Sequence, residues 1–190
     1  MRGPARSMPP GRGLGREARW LQPGCMASPE GNPVMTGAHL VRDDHVEALS
    51  VVGGRLELLT SPAATGDVPC ILRGTIPPGG FVPLHSHPDP ETFIGVSGVL
   101  EGLTGPGDVW SPIAPGDVFH VPGGIAHAFR NRGDEPATSL AVTTSTLARF
   151  FREVAGMSDL REAAGRYGHW LASPAENAEI GLVLPIDDET

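Results

Sequence analysis

Lysine is missing from this chain of 190 residues: all 14 basic side chains are arginine. Schiff-base chemistry on a lysine amine is therefore excluded. Cysteine is almost as scarce, with Cys25 near the start and Cys70 inside an apolar, strand-like stretch. Two such residues build no disulfide framework, and Cys70 has no His or Asn beside it in sequence, so it reads as a small buried hydrophobe in a reducing cytoplasm. No apolar run approaches the length of a membrane span, and no contact with a membrane is expected. Positive charge is sparse outside the first twenty residues, where Arg2, Arg6, Arg12, Arg16 and Arg19 face Glu17 alone. With a net charge of −8 overall, the rest of the chain is an acidic body that repels phosphate backbones, which argues against a nucleic-acid partner.

Glycine and proline are plentiful, at 26 and 20 residues, yet 39% of the chain is hydrophobic. Many short strands joined by turns account for both. Residues 1–35 are basic and rich in Gly and Pro, and no apolar segment of signal-peptide length follows the arginines. They read as a disordered leader, with Met26 and Met35 as alternative starts. Gly11-Arg12-Gly13-Leu14-Gly15 follows no strand and is no dinucleotide loop.

From residue 36 to 145, alternating apolar residues broken by Gly and Pro predict strands over 48–52, 54–60, 68–76, 80–86, 91–97, 99–103, 117–121, 126–131 and 137–144. Strands at this spacing with no helices between them predict an all-β sandwich or barrel. Residues 146–190 differ and read as a helical and extended tail packing on the barrel. Leu147, Phe150, Phe151 and Val154 recur at helical spacing up to Gly156, and that face is expected to pack on the barrel or on a dimer mate. Asp159-Leu160-Arg161-Glu162 reads as an Asp-led start of a second helix.

The chemistry lies between residues 79 and 131. His85 and His87 are two apart, a spacing that sends both side chains to the same face of a strand. Glu91 opens the next strand, and the turn Pro122-Gly123-Gly124 leads to His127. Three imidazoles and a carboxylate suit one divalent transition metal, Fe, Mn, Ni, Co, Cu or Zn, far better than Ca or Mg. His39, His45 and His169 lie outside these strands and are expected at the surface. His120 sits on a strand apolar on both parities, so either face could turn it inward.

At these residues the sequence resembles the cupin superfamily. Gly79, His85, His87, Glu91 and Gly98 fit its first motif with every gap in range, and Gly116, Pro122, Gly124, His127 and Asn131 fit its second. Each motif occurs once, as in small bacterial monocupins likened to quercetin dioxygenases. The resemblance implies a double-stranded β-helix (jelly-roll) barrel that commonly dimerises, with His85, His87, Glu91 and His127 as metal ligands. Phe93 shares the parity of Glu91, and Phe129 that of His127, so both rings are candidate pocket lining, with His120 a third candidate.

Three functions stay open, because fold does not fix function. The first is a dioxygenase-like enzyme acting on a small enolic, phenolic or dicarbonyl substrate, with Glu91, the candidate catalytic residue, or a metal-bound water as the base. The second is a redox-neutral isomerase, decarboxylase or lyase. The third is a metal-dependent module that binds a small molecule without changing it.

Overall fold

The computed structural model describes residues 26–27, 33–34, 40–51, 53–60, 69–104, 109–157 and 160–183. The leader expected over residues 1–35 lies outside them, apart from β1 (Met26–Ala27) and β2 (Pro33–Val34), which pair with each other. Ten strands follow: β3 (Glu47–Val51), β4 (Gly54–Leu58), β5 (Cys70–Ile76), β6 (Phe81–Ser86), β7 (Glu91–Ser97), β8 (Leu100–Thr104), β9 (Trp110–Ile113), β10 (Val118–Val121), β11 (His127–Arg130) and β12 (Ala137–Thr143). The tail adds α1 (Ser145–Val154), α2 (Arg161–Arg166), β13 (Trp170–Leu171) and α3 (Pro174–Glu179).

These strands make two antiparallel sheets, ordered β10-β7-β12-β5-β4-β3 and β13-β6-β11-β8-β9. They form a jelly roll with a short helical tail. Strand β12 shows why the sheets face each other: Ala137, Ser139, Ala141 and Thr143 are buried, while the residues between them are half-buried. Ile76 and Ala137 from one sheet meet Leu100, Ile113 and Phe129 from the other in a shared core. On β11 the alternation fails, because His127, Ala128 and Phe129 are all buried. Its outer face is covered by the end of the tail, where Ile180 and Leu182 pack on Leu103 and Ala128.

Strand β9 was not among the expected strands. Pro112 interrupts its pattern, and a proline cannot donate to a ladder. It is tolerated because β9 is an edge strand, paired among the described residues with β8 alone. The tail differs from expectation in three places. Helix α2 begins after Leu160, which supplies no side-chain cap, and Asp159 lies outside the described residues. Strand β13 spans two residues, too few for a periodic signal, and pairs with β6. Helix α3 has the capping box that α2 lacks: Ser173 and Glu176 each accept a hydrogen bond from the other's backbone N–H, and Pro174 stands in the first turn.

In α1, Leu147, Phe150 and Val154 are buried against Ala163 and Ala164 of α2, and Gly156, at φ +76°, ends the helix. Among the described residues no helix is long and apolar enough to cross a membrane.

Candidate metal centre

Strands β6, β7 and β11 bring four side chains to one end of the interior. His85 is the penultimate residue of β6, His87 follows that strand, Glu91 opens β7 and His127 opens β11, where it pairs directly with His85. Between His127 and Phe129 the register with β6 slips by one residue, so β6 carries an extra residue beside Pro83. Such a bulge re-aims the side chain next to it, here His85. The turn before His127 packs tightly on the first histidine pair. Gly124 N–H donates to His87 O at 2.7 Å, and a β-carbon on Gly123 would stand 2.0 Å from Pro88 O.

Hydrogen bonds orient two of the rings. His85 Nδ1 lies 2.8 Å from Pro83 O, and His127 Nδ1 lies 2.9 Å from Ile125 O. A carbonyl can only accept, so each Nδ1 carries the proton and each neutral ring has an unprotonated Nε2. Glu91 Oε2 stands 3.2 Å from His87 Nε2 and 3.3 Å from His127 Nε2. His127 Nε2 is buried without a hydrogen-bond partner, as is His87 Nδ1. A bare nitrogen lone pair facing a carboxylate oxygen is repulsive unless a cation joins them, and this donor set fits a metal ion. One nitrogen from each of His85, His87 and His127 lies within 4.8 Å of the other two, so these three could hold a metal ion.

Burial, together with the neighbouring His127 and His87 rings, pushes His85 down to about 3, so its imidazole is neutral at physiological pH. Burial alone would raise the Glu91 carboxyl. A positive charge between it and the His127 and His87 nitrogens, a proton or a metal ion, outweighs that effect and holds it below its ordinary value, in the ionised form.

Phe93 and Phe129 pack in a tilted pair with ring centroids 4.4 Å apart and line a cavity of about 340 Å³ that opens onto His85 and Glu91. Leu56, Leu72, Leu100 and Val82 make most of the remaining wall apolar, and Phe150, Phe151 and Val154 of α1 close one side. The expected packing face of α1 is therefore also cavity wall. His120 does not line this cavity. It is exposed on β10 and hydrogen-bonds Thr92 Oγ1 at 2.9 Å, because the inward parity of that strand belongs to Phe119 and Val121. Asn131 ties a loop together: its Nδ2 donates to Ile76 O and Glu135 O, and its Oδ1 accepts from Gly133 N–H.

His169, expected at the surface from its place outside the motif strands, is instead part of the interior. It is buried, its ring lies 5.1 Å from His87 and 4.0 Å from Phe150, and its Nε2 has no partner. Burial and the adjacent His87 push it down to about 4. It lines the same cavity, having been delivered by the pairing of β13 with β6. His45 is exposed, and His39 lies outside the described residues.

The family model described as Cupin domain (Cupin_2) matches residues 72–143. No curated protein matches the sequence. Among solved structures, the polyketide cyclase RemF from Streptomyces resistomycificus aligns at 18% identity and a TM-score of 0.53, covering 57% of this chain and 80% of its own. A predicted oxalate decarboxylase from Thermotoga maritima aligns at 25% identity and a TM-score of 0.50, covering 56% of this chain and 98% of its own. With their two sheets, their paired motifs and this domain match, residues 72–143 are a cupin domain.

Proposed function

We propose that this protein is a metal-dependent dioxygenase acting on a small enolic, phenolic or dicarbonyl substrate. The observation that carries this reading is the wedge of Glu91 between two imidazoles beside an apolar cavity. A divalent transition metal held by His85, His87, Glu91 and His127 would supply Lewis-acid chemistry and, where redox-active, electron transfer. The apolar wall favours a largely apolar substrate. Phe93 and Phe129 exclude water and orient it by ring contacts. Glu91 Oε2 faces the imidazoles, which leaves Oε1 to accept the acidic proton of the substrate. Both atoms of O₂ enter the organic product, so no external reductant is required. A cytoplasmic homodimer belongs to the same proposal, and light scattering reads the oligomeric state directly.

The likeness to the predicted oxalate decarboxylase favours a second reading, redox-neutral cleavage or isomerisation at the same residues. An oxygen electrode separates the two. Protein loaded with each candidate metal is offered catechols, flavonols and diketones. Oxygen uptake equal to substrate consumed is the expected result. Substrate conversion without oxygen uptake would move the assignment to the redox-neutral class. Tight binding with no product would make the protein a binding module.

A further inference from the structure

Four glycines lie within the strands of the two sheets: Gly54, Gly74, Gly95 and Gly102. Glycine weakens a strand by roughly 0.5–1 kcal/mol relative to alanine, so each calls for a reason. Three have one within the protein. A β-carbon on Gly54 would stand 2.3 Å from Thr75 O, on Gly95 2.1 Å from Ala114 O, and on Gly102 2.8 Å from the Phe119 ring. Gly74 has none. A β-carbon there would meet only Leu56 Cδ1 at 3.9 Å and Ser139 Oγ at 4.0 Å, both ordinary contacts.

The open space in front of Gly74 belongs to the cavity that reaches the metal centre. Gly74 pairs with Ser139 on β12, and Ser139 pairs with Gly95 on β7. Gly95 is four residues beyond Glu91, which places this row about 13 Å from Glu91 measured along the strand. Between them the wall is Phe93, Ala141 and Leu72, all apolar. Ser139 is 6% exposed, and its hydroxyl has no hydrogen-bond partner among the described residues. Ser139 lines the cavity, and a hydroxyl that faces a cavity can hydrogen-bond a polar group of a ligand that enters it.

We propose that Gly74 and Ser139 form the far end of the substrate pocket, which receives an elongated apolar molecule with oxygen donors at one end and a polar group at the other. Gly74 supplies the width, Ser139 supplies the hydrogen bond, and together they set substrate length. This inference rests on the metal-centre reading for the position of the oxygen-bearing end.

The test is calorimetric binding of three probes to zinc-loaded protein: catechol, 3,4-dihydroxybiphenyl and 3,4,4′-trihydroxybiphenyl. They share one oxygen pair and differ only in what extends from it. Wild type should bind the biphenyls more tightly than catechol. Gly74→Leu should leave catechol within about twofold and weaken both biphenyls by about tenfold or more, the loss expected when a side chain fills an apolar subsite. Gly74→Ala, which adds one methyl group at ordinary contact distance, should fold and show the same pattern more weakly. Ser139→Ala should abolish the advantage of the trihydroxy probe over the dihydroxy probe. Unchanged biphenyl binding in either Gly74 variant, or equal weakening of catechol, would overturn this inference while leaving the metal centre in place. Failure of all three probes to bind the zinc-loaded wild type would overturn the proposed substrate class, and this inference with it.

Discussion

Asn177 Oδ1 accepts a hydrogen bond from the Leu84 backbone N–H at 2.8 Å, so helix α3 grips the strand one residue before His85. The same side chain donates to Ala172 O and Ser173 O and is fully buried. Ala172 N–H in turn donates to Leu84 O at 3.0 Å. The tail thus locks β6 from its outer edge. Asn177→Ala leaves a buried N–H unpaired, an expected cost of about 1–3 kcal/mol in denaturant unfolding. Metal affinity should fall as well, because His85 loses its brace. Stability within a few tenths of a kcal/mol of wild type would show that the tail does not hold the strand.

His169→Phe keeps the ring contact with Phe150 and removes the orphaned nitrogen. Stability should rise by about 1 kcal/mol, since the penalty for an unpaired buried polar atom disappears. Metal content should stay at the wild-type level. Loss of metal on this substitution would make His169 a ligand.

Glu91→Gln separates a working centre from a holding one. After loading is confirmed by elemental analysis, the variant should turn over about 10²- to 10⁴-fold more slowly, the range attributed to general-base catalysis. Wild-type turnover in the fully loaded variant would remove Glu91 from the role of base.

Away from the site, the Arg73 guanidinium hydrogen-bonded to Glu57 at 2.5 Å, with Arg55 at 2.8 Å, holds that carboxyl down at about 2 against burial. Because this value lies below the ordinary 4.5, the stabilisation is complete above pH 4.5 and is lost as the pH falls toward 2. Glu57→Gln should cost on the order of 1–2 kcal/mol at pH 7. The gap between variant and wild type should narrow in urea titrations run at successively lower pH between 5 and 3. A gap independent of pH would mean that the ion pair contributes nothing.

The grouping of His85, His87, Glu91 and His127 was legible because strand parity and turn glycines are local rules. His-x-His at a strand end keeps both side chains on one side although His87 falls just past β6, and Gly124, at φ +81°, marks the turn before His127. An all-β sandwich or barrel followed from the short-strand spacing, and its jelly-roll form from the resemblance to the cupin motifs. His169 was not legible: it reaches the cavity through a two-residue strand paired across more than eighty positions of sequence, and no local periodicity reports such a pairing. His120 was ambiguous from its strand and is turned outward by the packing of Phe119 and Val121. Helix α3 is signalled in the sequence by Ser173, Pro174 and Glu176, a local capping signature. The space at Gly74 depends on four strands at once, so only the assembled interior reveals it.

The central claim is that three imidazoles and Glu91 hold one metal ion on a scaffold that folds without it. Elemental analysis of tag-free protein tests this directly, with wild type measured beside His85→Ala and His127→Ala and with circular dichroism run on each. Wild type should carry about one equivalent of a divalent transition metal, and both variants close to none, while all three melt as folded β proteins because the sheets already hold the ligand strands. Full metal content in both variants, or a wild type that retains no metal after loading, would contradict it.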